Sequence, residues 1–154
     1  MNRLIYIDTS VVGGYFDEEF AKDTIPFFDA IRAGEGILIV SDLLVAELSR
    51  APAFVKNLLD ELPSEVKLQV KLTQDAAILA DKYIEAGVVG RTSRADCQHI
   101  AIATLSRADV LVSWNFKHIV NLDRIRGYNG INYQNGYPMV EIRTPREIQH
   151  YTNE

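Results

Sequence analysis

Asp8 stands at the end of an apolar segment, where a carboxylate is well placed to do chemistry. It follows the β-prone residues Leu4 to Ile7 and precedes Thr9 and Ser10, a pattern that predicts a strand passing into a helix. In open parallel sheets, ligands bind beyond the carboxyl ends of the strands. Asp8 is therefore a candidate site residue. Residues of this type also cap helices, and the sequence alone leaves both roles open.

Two further acids occur where hydrophobic residues are expected. Glu47 follows Leu43 and Leu44 by four and three residues, and Asp96 precedes Ile100 by four, so each acid shares the apolar face of a predicted helix. A carboxylate removed from water is costly unless it is paired with a cation or bound to a metal. The pattern therefore indicates either an ion pair or a metal site.

The ion-pair alternative has specific partners in the sequence. Arg50 and Arg94 lie close to the two acids along the chain, and an arginine buried beside each carboxylate would neutralise it. The metal alternative instead requires that the acids come together in space, and the elements of the fold decide whether they do.

Predicted strands and helices alternate along the chain. Strands are predicted at 3–7, 36–41, 66–72, 109–113 and 138–143. Helices are predicted at 22–33, 42–50, 53–61, 73–86, 92–107 and 120–134, and a last one begins at Thr144. Such alternation predicts an α/β fold, a three-layer α/β/α arrangement around a central, mostly parallel sheet of about five strands. Residues 127–137 contain glycines and asparagines that suit a loop as well as a helix.

Length and composition set broader limits. The chain has 154 residues, 47% of them hydrophobic, which predicts a single domain spanning 1–154. One cysteine, Cys97, excludes an internal disulfide framework, and with three scattered histidines it also argues against a structural zinc site. No segment is long enough to span a bilayer, and no secretory signal is evident. A cytoplasmic location is expected.

Charge is unevenly distributed. The net charge is −5, but residues 1–86 hold 8 basic and 15 acidic residues, whereas residues 87–154 hold 8 basic and 6 acidic ones. The second half could therefore supply a local phosphate-binding rim. Charge alone favours the simpler interpretation of an ordinary solvated surface.

Four segments together resemble the successive motifs of the PIN-domain ribonucleases, a family that includes the VapC-type toxins. They are Ile7-Asp8-Thr9-Ser10, Ala46-Glu47-Leu48, the segment from Arg94 to Ala101, and the segment from Ala108 to Phe116. The resemblance implies a doubly wound parallel sheet and a cleavage of RNA that depends on Mg²⁺ or Mn²⁺. It also implies a small antitoxin as partner and a homodimer, since relatives pair.

The chemistry of the residues agrees with this implication. Oxygen-only carboxylate clusters select hard cations such as Mg²⁺ and Mn²⁺, which activate water for attack on a phosphodiester. We predict Asp8, Glu47 and Asp96 as direct or water-mediated ligands. Thr9 and Ser113 are predicted to orient these ligands by hydrogen bonds.

Asn115 is the fourth catalytic candidate and the point of departure from the family. Many relatives have aspartate there, and others have asparagine followed three residues later by aspartate, where this chain has His118. A second ion would depend on one of these two residues, so one ion is the firmer expectation. Arg91, Arg94 and Lys117 are the predicted RNA contacts.

Other interpretations remain open. The same fold could be a catalytically silent module that binds RNA or a protein. A phosphatase with Asp8 as nucleophile is less well supported, because Ser10 stands where a second acid is typical. His99 follows Asp96 by one helical turn and could join the site, although a structural or solvent-facing role is favoured. Cys97 is predicted to be a small core residue.

Overall fold

The computed structural model describes the backbone of residues 3–152 and the side chains of residues 3–148; residues 1, 2, 153 and 154 of the predicted domain lie outside the described part. The strands are β1 (Leu4–Ile7), β2 (Ile37–Ser41), β3 (Lys67–Val70), β4 (Val110–Val112) and β5 (Ile142–Arg143). The helices are α1 (Thr9–Gly14), α2 (Ala21–Arg32), α3 (Asp42–Leu48), α4 (Ala53–Asp60), α5 (Gln74–Glu85), α6 (Arg94–Leu105), α7 (Leu122–Gln134) and α8 (Pro145–Thr152). Short 3₁₀ turns at Ser64–Val66 and Arg91–Ser93 precede β3 and α6.

The five strands form one parallel sheet in the order β3-β2-β1-β4-β5. The chain builds outward from β1 through β2 to β3, and then returns to the other side of β1 to add β4 and β5. The order therefore reverses between β1 and β4, and ligands of doubly wound folds bind at such a switch point. Asp8 directly follows β1, and Ser113 directly follows β4.

Alternation along the strands divides the core into two layers. Ile5, Ile7, Leu38 and Val40 pack into one cluster with α1, α2 and α4, whereas Tyr6 and its neighbours on the opposite face pack against α5, α6 and α7. Successive strand residues point to opposite faces, so a parallel sheet buried on both sides produces two such clusters. The predicted three-layer α/β/α class is confirmed. None of the helices in residues 3–152 is both long and apolar enough to cross a membrane.

The last predicted strand is wrong in its length. Residues 138–143 were expected to be extended, but β5 contains Ile142 and Arg143 alone. The side chain of Asn129 takes the place of a neighbouring strand: its Oδ1 accepts from the backbone N–H of Val140 at 2.8 Å, and its Nδ2 donates to the Val140 carbonyl at 3.1 Å. Because these hydrogen bonds satisfy the backbone of Val140, the sheet need not extend to it.

The asparagine-rich segment 127–137 is helical as far as Gln134, as the end of α7. Its asparagines serve the core rather than a loop. Asn132 is fully buried, accepts a hydrogen bond from the Tyr83 hydroxyl, and donates to Thr104. A buried amide is tolerated when its hydrogen bonds are made, so Asn132 can lie on the buried face of α7.

Gly14 allows the loop after β4 to pack against α1. A Cβ at Gly14 would lie 2.8 Å from the Trp114 ring, whose Nε1 donates to Thr24 Oγ1 at 2.9 Å. We expect Gly14→Ala to lower the free energy of unfolding by about 1–3 kcal/mol through overpacking. Gly13→Ala in the same helix meets nothing within 4 Å and should be neutral or slightly stabilising. Urea unfolding of the two variants checks the difference, and equal midpoints would contradict it.

Candidate active site

Asp8 is buried at the carboxyl end of the central strand. It occupies the N-cap position of α1, yet its side chain makes no capping hydrogen bond. Its Oδ1 instead accepts from Ser10 Oγ at 2.6 Å, and its Oδ2 accepts from Ser113 Oγ at 2.8 Å. The helix-cap interpretation of Asp8 is therefore wrong. Its carboxylate is held by one hydroxyl from α1 and one from the loop after β4.

The electrostatic environment of Asp8 is unfavourable for a bare negative charge. The side chain is 4% exposed, and burial raises the pKa of Asp8, with the charge of Asp96 acting in the same direction. The hydrogen bonds from Ser10 and Ser113 work against this rise without cancelling it. Among the described side chains no lysine or arginine pairs with Asp8. Buried carboxylates without a cationic partner are typical of sites that bind a cation.

Glu47 lies on α3 and is linked to the residue after Asp8. Its Oε1 accepts from Thr9 Oγ1 at 2.8 Å and also bonds His99 Nε2. Burial alone would raise the pKa of Glu47, but the hydrogen bonds with His99 and Thr9 outweigh burial and lower the pKa. The carboxylate of Glu47 is therefore ionised and fixed through one oxygen.

Asp96 lies in the first turn of α6, and its Oδ2 bonds the Nδ1 of His118 at 3.0 Å. Arg94, the proposed alternative partner, instead pairs with Asp81 at 2.8 Å. Arg50 is exposed beyond the end of α3. The arginine-pair explanation of the two helix acids is thus wrong, because histidines contact both of them.

Asn115 and His118 form a turn beside Ser113. The side-chain oxygen of Asn115 accepts from the backbone N–H of His118 at 3.0 Å, and the backbone N–H of Asn115 donates to Ser113 Oγ at 2.9 Å. Asn115 therefore connects Ser113, which bonds Asp8, to His118, which bonds Asp96. Its observed contacts are those of a turn residue, and its catalytic role stays a prediction.

Of the three predicted RNA contacts, Arg91 and Arg94 lie within five residues of Asp96 along the chain, and Lys117 precedes its partner His118. Arg91 is exposed in the 3₁₀ turn before α6, and Lys117 is exposed in the turn that carries His118. Arg94 is half exposed, but its guanidinium is already engaged by Asp81. Their contact with RNA stays a prediction, and Arg94 has less free charge to offer than the other two.

The acids are neighbours without forming a closed cluster. Thr9 links Asp8 to Glu47 through adjacent residues, and the Asp96 charge acts on Asp8. Within the described side chains, however, no three acidic, histidine or cysteine residues lie close enough to enclose an ion. Mg²⁺ does not need such an enclosure, since it keeps several waters and is commonly held by one or two carboxylates plus substrate phosphates. Joint ligation by Asp8, Glu47 and Asp96 stays a prediction.

Part of this arrangement lies outside the set of residues predicted from the sequence. Tyr6, Ser10 and Ser41 were not identified, and His99, for which a structural or solvent-facing role was favoured, is 2% exposed and bonded to Glu47. A signal for Tyr6 did exist, because it lies two residues before Asp8 and strand alternation places both on one face. Cys97 is buried as predicted, and burial raises the pKa of its thiol to about 12, which makes it a poor nucleophile.

Comparison with known proteins places the fold. No protein-family model matches the chain, and no curated protein matches its sequence. Among solved structures, VapBC2 from Rickettsia felis, bound to a DNA fragment from their promoter, aligns with a TM-score of 0.54 and 13% identity over 92% of this chain and 98% of that one. FitAcB from Neisseria gonorrhoeae aligns with a TM-score of 0.55 and 16% identity over 92% and 97% of the two chains. At these identities the likeness concerns the fold, and it confirms the PIN-like architecture that the motifs predicted.

Proposed function

We propose that this protein is an endoribonuclease that depends on Mg²⁺ or Mn²⁺ and acts as the toxin of a toxin–antitoxin pair. The observation that carries the proposal is Asp8, a buried carboxylate without a lysine or arginine partner at the switch point of a doubly wound sheet. Burial of such a charge is unfavourable unless a cation compensates for it. The PIN-like fold supports RNA as the substrate by analogy.

The oxygen atoms that remain available define how an ion would be held. Glu47 uses Oε1 for its two protein contacts and Asp96 uses Oδ2 for one, so Glu47 Oε2 and Asp96 Oδ1 are left for a cation. Asp8 uses one lone pair on each oxygen and retains further acceptor capacity. Hard oxygen donors of this kind suit Mg²⁺ and Mn²⁺.

Each residue then has a definite task. When bound, the ion supplies Lewis-acid polarisation of a phosphoryl oxygen and lowers the pKa of a bound water. Ser10 and Ser113 hold the Asp8 carboxylate in place, and Thr9 holds that of Glu47. Arg91 and Lys117, both exposed, would contact the phosphates that flank the scissile bond.

The partners follow from the same proposal. A small antitoxin would cover this protein, in line with the VapBC2 and FitAcB assemblies to which the fold is similar. Val45 and Phe54 are 56% and 58% exposed on α3 and α4, and they offer apolar surface for such a partner or for a second copy in a homodimer.

The test of the proposed function is cleavage of a structured RNA by the purified protein in Mg²⁺, in Mn²⁺ and in EDTA. We expect cleavage with either metal and none in EDTA, because in the proposed reaction the ion activates the attacking water. RNA binding that is equal in all three conditions, without cleavage in any, would contradict the enzyme and favour the silent binding module. That alternative has one observation in its favour, since His118 already contacts Asp96.

A further inference from the structure

A continuous chain of hydrogen bonds crosses the interior beside the acids. Ser41 Oγ lies 2.9 Å from the Tyr6 hydroxyl, and that hydroxyl lies 2.6 Å from Nδ1 of His99. The Nε2 of His99 bonds Glu47 Oε1, which also accepts from Thr9. These hydrogen bonds therefore join β2, β1, α6, α3 and the start of α1. Of these elements, α3 carries Glu47 and α6 carries Asp96, and Asp8 lies between β1 and α1.

The following arrangement of hydrogens satisfies every group in this series of hydrogen bonds. Ser41 Oγ accepts from the backbone N–H of Leu44, so its own hydrogen is free to donate to Tyr6. The Tyr6 oxygen accepts from Ser41, and the one hydrogen of its hydroxyl is directed to His99 Nδ1 at 2.6 Å. An imidazole that accepts at Nδ1 carries its hydrogen at Nε2 when neutral, and Nε2 then donates to Glu47. Every donor finds an acceptor, as buried polar groups require.

This arrangement has a consequence for Glu47. Its side chain is 32% exposed and long enough to adopt several rotamers. Two donors, His99 and Thr9, converge on Oε1, and no described side chain bonds Oε2. The contacts thus fix the carboxylate while leaving one oxygen without a protein partner.

We propose that Tyr6 and His99 are positioning residues, which hold Glu47 by Oε1 so that Oε2 remains available to a divalent cation. The inference rests on the proposed function, because it gives these two residues a purpose in metal binding. Tyr6 acts through His99 by fixing its tautomer, and His99 acts through Glu47. Groups that orient metal ligands by hydrogen bonds commonly change metal affinity or activity by about 10–100-fold when removed.

The decisive variant is Tyr6→Phe, with Tyr83→Phe as its matched control. Both tyrosines are fully buried on the same side of the sheet, and both hydroxyls make hydrogen bonds, but that of Tyr83 bonds Asn132 away from the acids. Titration calorimetry with Mn²⁺ should show a dissociation constant raised about 10-fold or more for Tyr6→Phe and unchanged for Tyr83→Phe. Equal affinities in the two variants would overturn the inference, because the Tyr6 hydroxyl would then be structural only.

A second pair of variants tests His99 itself. His99→Gln retains an N–H that can reach Glu47 and should keep most of the Mn²⁺ affinity, whereas His99→Ala should lose it. Rescue by glutamine separates positioning from mere core packing. Loss of affinity in both variants to the same extent would count against the proposed donor role.

A metal-free measurement covers the case in which these variants fold poorly. Nitrogen-15 NMR of the parent protein should find the His99 hydrogen on Nε2 and Nδ1 unprotonated; a hydrogen on Nδ1 alone would overturn the inference. Failure of the proposed function is distinguishable, since a parent that neither binds Mn²⁺ nor cleaves RNA contradicts the nuclease and not the tautomer. A parent that does both, with unaltered affinity in Tyr6→Phe, contradicts the positioning role alone.

Discussion

Replacing Asp8 or Asp96 by asparagine is expected to abolish RNA cleavage and leave the protein folded. Each substitution removes the charge of a proposed metal ligand with little change in volume, so the loss should fall on ion binding rather than on packing. Removing a residue that only hydrogen-bonds to a metal ligand lowers metal affinity or activity by up to about 100-fold. Because these variants remove a proposed ligand itself, we expect the cleavage rate to fall by more than that. The measurement is a cleavage time course with Mg²⁺ or Mn²⁺.

Asp60→Asn provides the control for this experiment. Asp60 is exposed at the end of α4 and is outside the candidate site, so its loss should leave the rate unchanged. If Asp8→Asn and Asp96→Asn cleave RNA as fast as the parent, the nuclease proposal fails.

The stability of Asp8→Asn tests the same site independently of catalysis. Burial raises the pKa of Asp8 above its usual 3.8, so the folded protein binds this proton more tightly than the unfolded chain does. The contribution of Asp8 to stability is then present below pH 3.8 and is lost as the pH rises through the folded-state pKa. Without metal at neutral pH, Asp8→Asn should therefore unfold at the same temperature as the parent or higher.

The pKa of Glu47 is shifted in the opposite direction to that of Asp8, so Glu47 serves as an internal comparison. Its pKa is lowered from 4.5 once the contacts with His99 and Thr9 outweigh burial. The stability that it contributes is present above pH 4.5 and is lost as the pH falls through the folded-state pKa. A substitution Glu47→Gln should therefore destabilise the metal-free protein at neutral pH, whereas Asp8→Asn should not.

Binding of Mn²⁺ is expected to raise the melting temperature of the parent protein. An ion that binds only the folded state at about 100 times its dissociation constant contributes about 2.7 kcal/mol. For a chain of this size, that free energy corresponds to roughly 5–10 °C. The shift should disappear in Asp8→Asn, and thermal melts in MnCl₂ against KCl of equal ionic strength measure it.

Asn115→Asp should increase the rise in melting temperature that Mn²⁺ causes. Aspartate retains the oxygen that accepts from the His118 backbone and adds a negative charge beside Ser113. We expect Mn²⁺ affinity to rise on the order of tenfold, about 1.4 kcal/mol, which an added charge near a partly buried cation can readily supply. If Mn²⁺ changes neither the melting temperature nor the activity of the parent, the silent binding module becomes the better explanation.

The predicted class and the order of elements follow from local information. Apolar runs broken by Gly, Pro and Asp placed β1, β2 and β4 within one residue of their observed ends, because parallel strands buried on both faces are predominantly apolar. The prediction was wrong where a side chain replaced the backbone of a neighbouring strand, as Asn129 does for Val140. No local sequence pattern predicts that a side chain will pair with a strand backbone in this way, because Asn129 lies on α7 and Val140 lies outside that helix.

By itself, the sequence determined the three-layer α/β architecture and the acids to examine, Asp8, Glu47 and Asp96. Strand termini and misplaced acids on helix faces are local features, and local features are readable along the chain. The tertiary structure alone decided which groups touch those acids. Arg50 and Arg94 are close to them in sequence, yet His99 and His118 make the contacts. Side chains separated by tens of residues meet only through the crossovers of the sheet, and sheet order is a property of the whole fold.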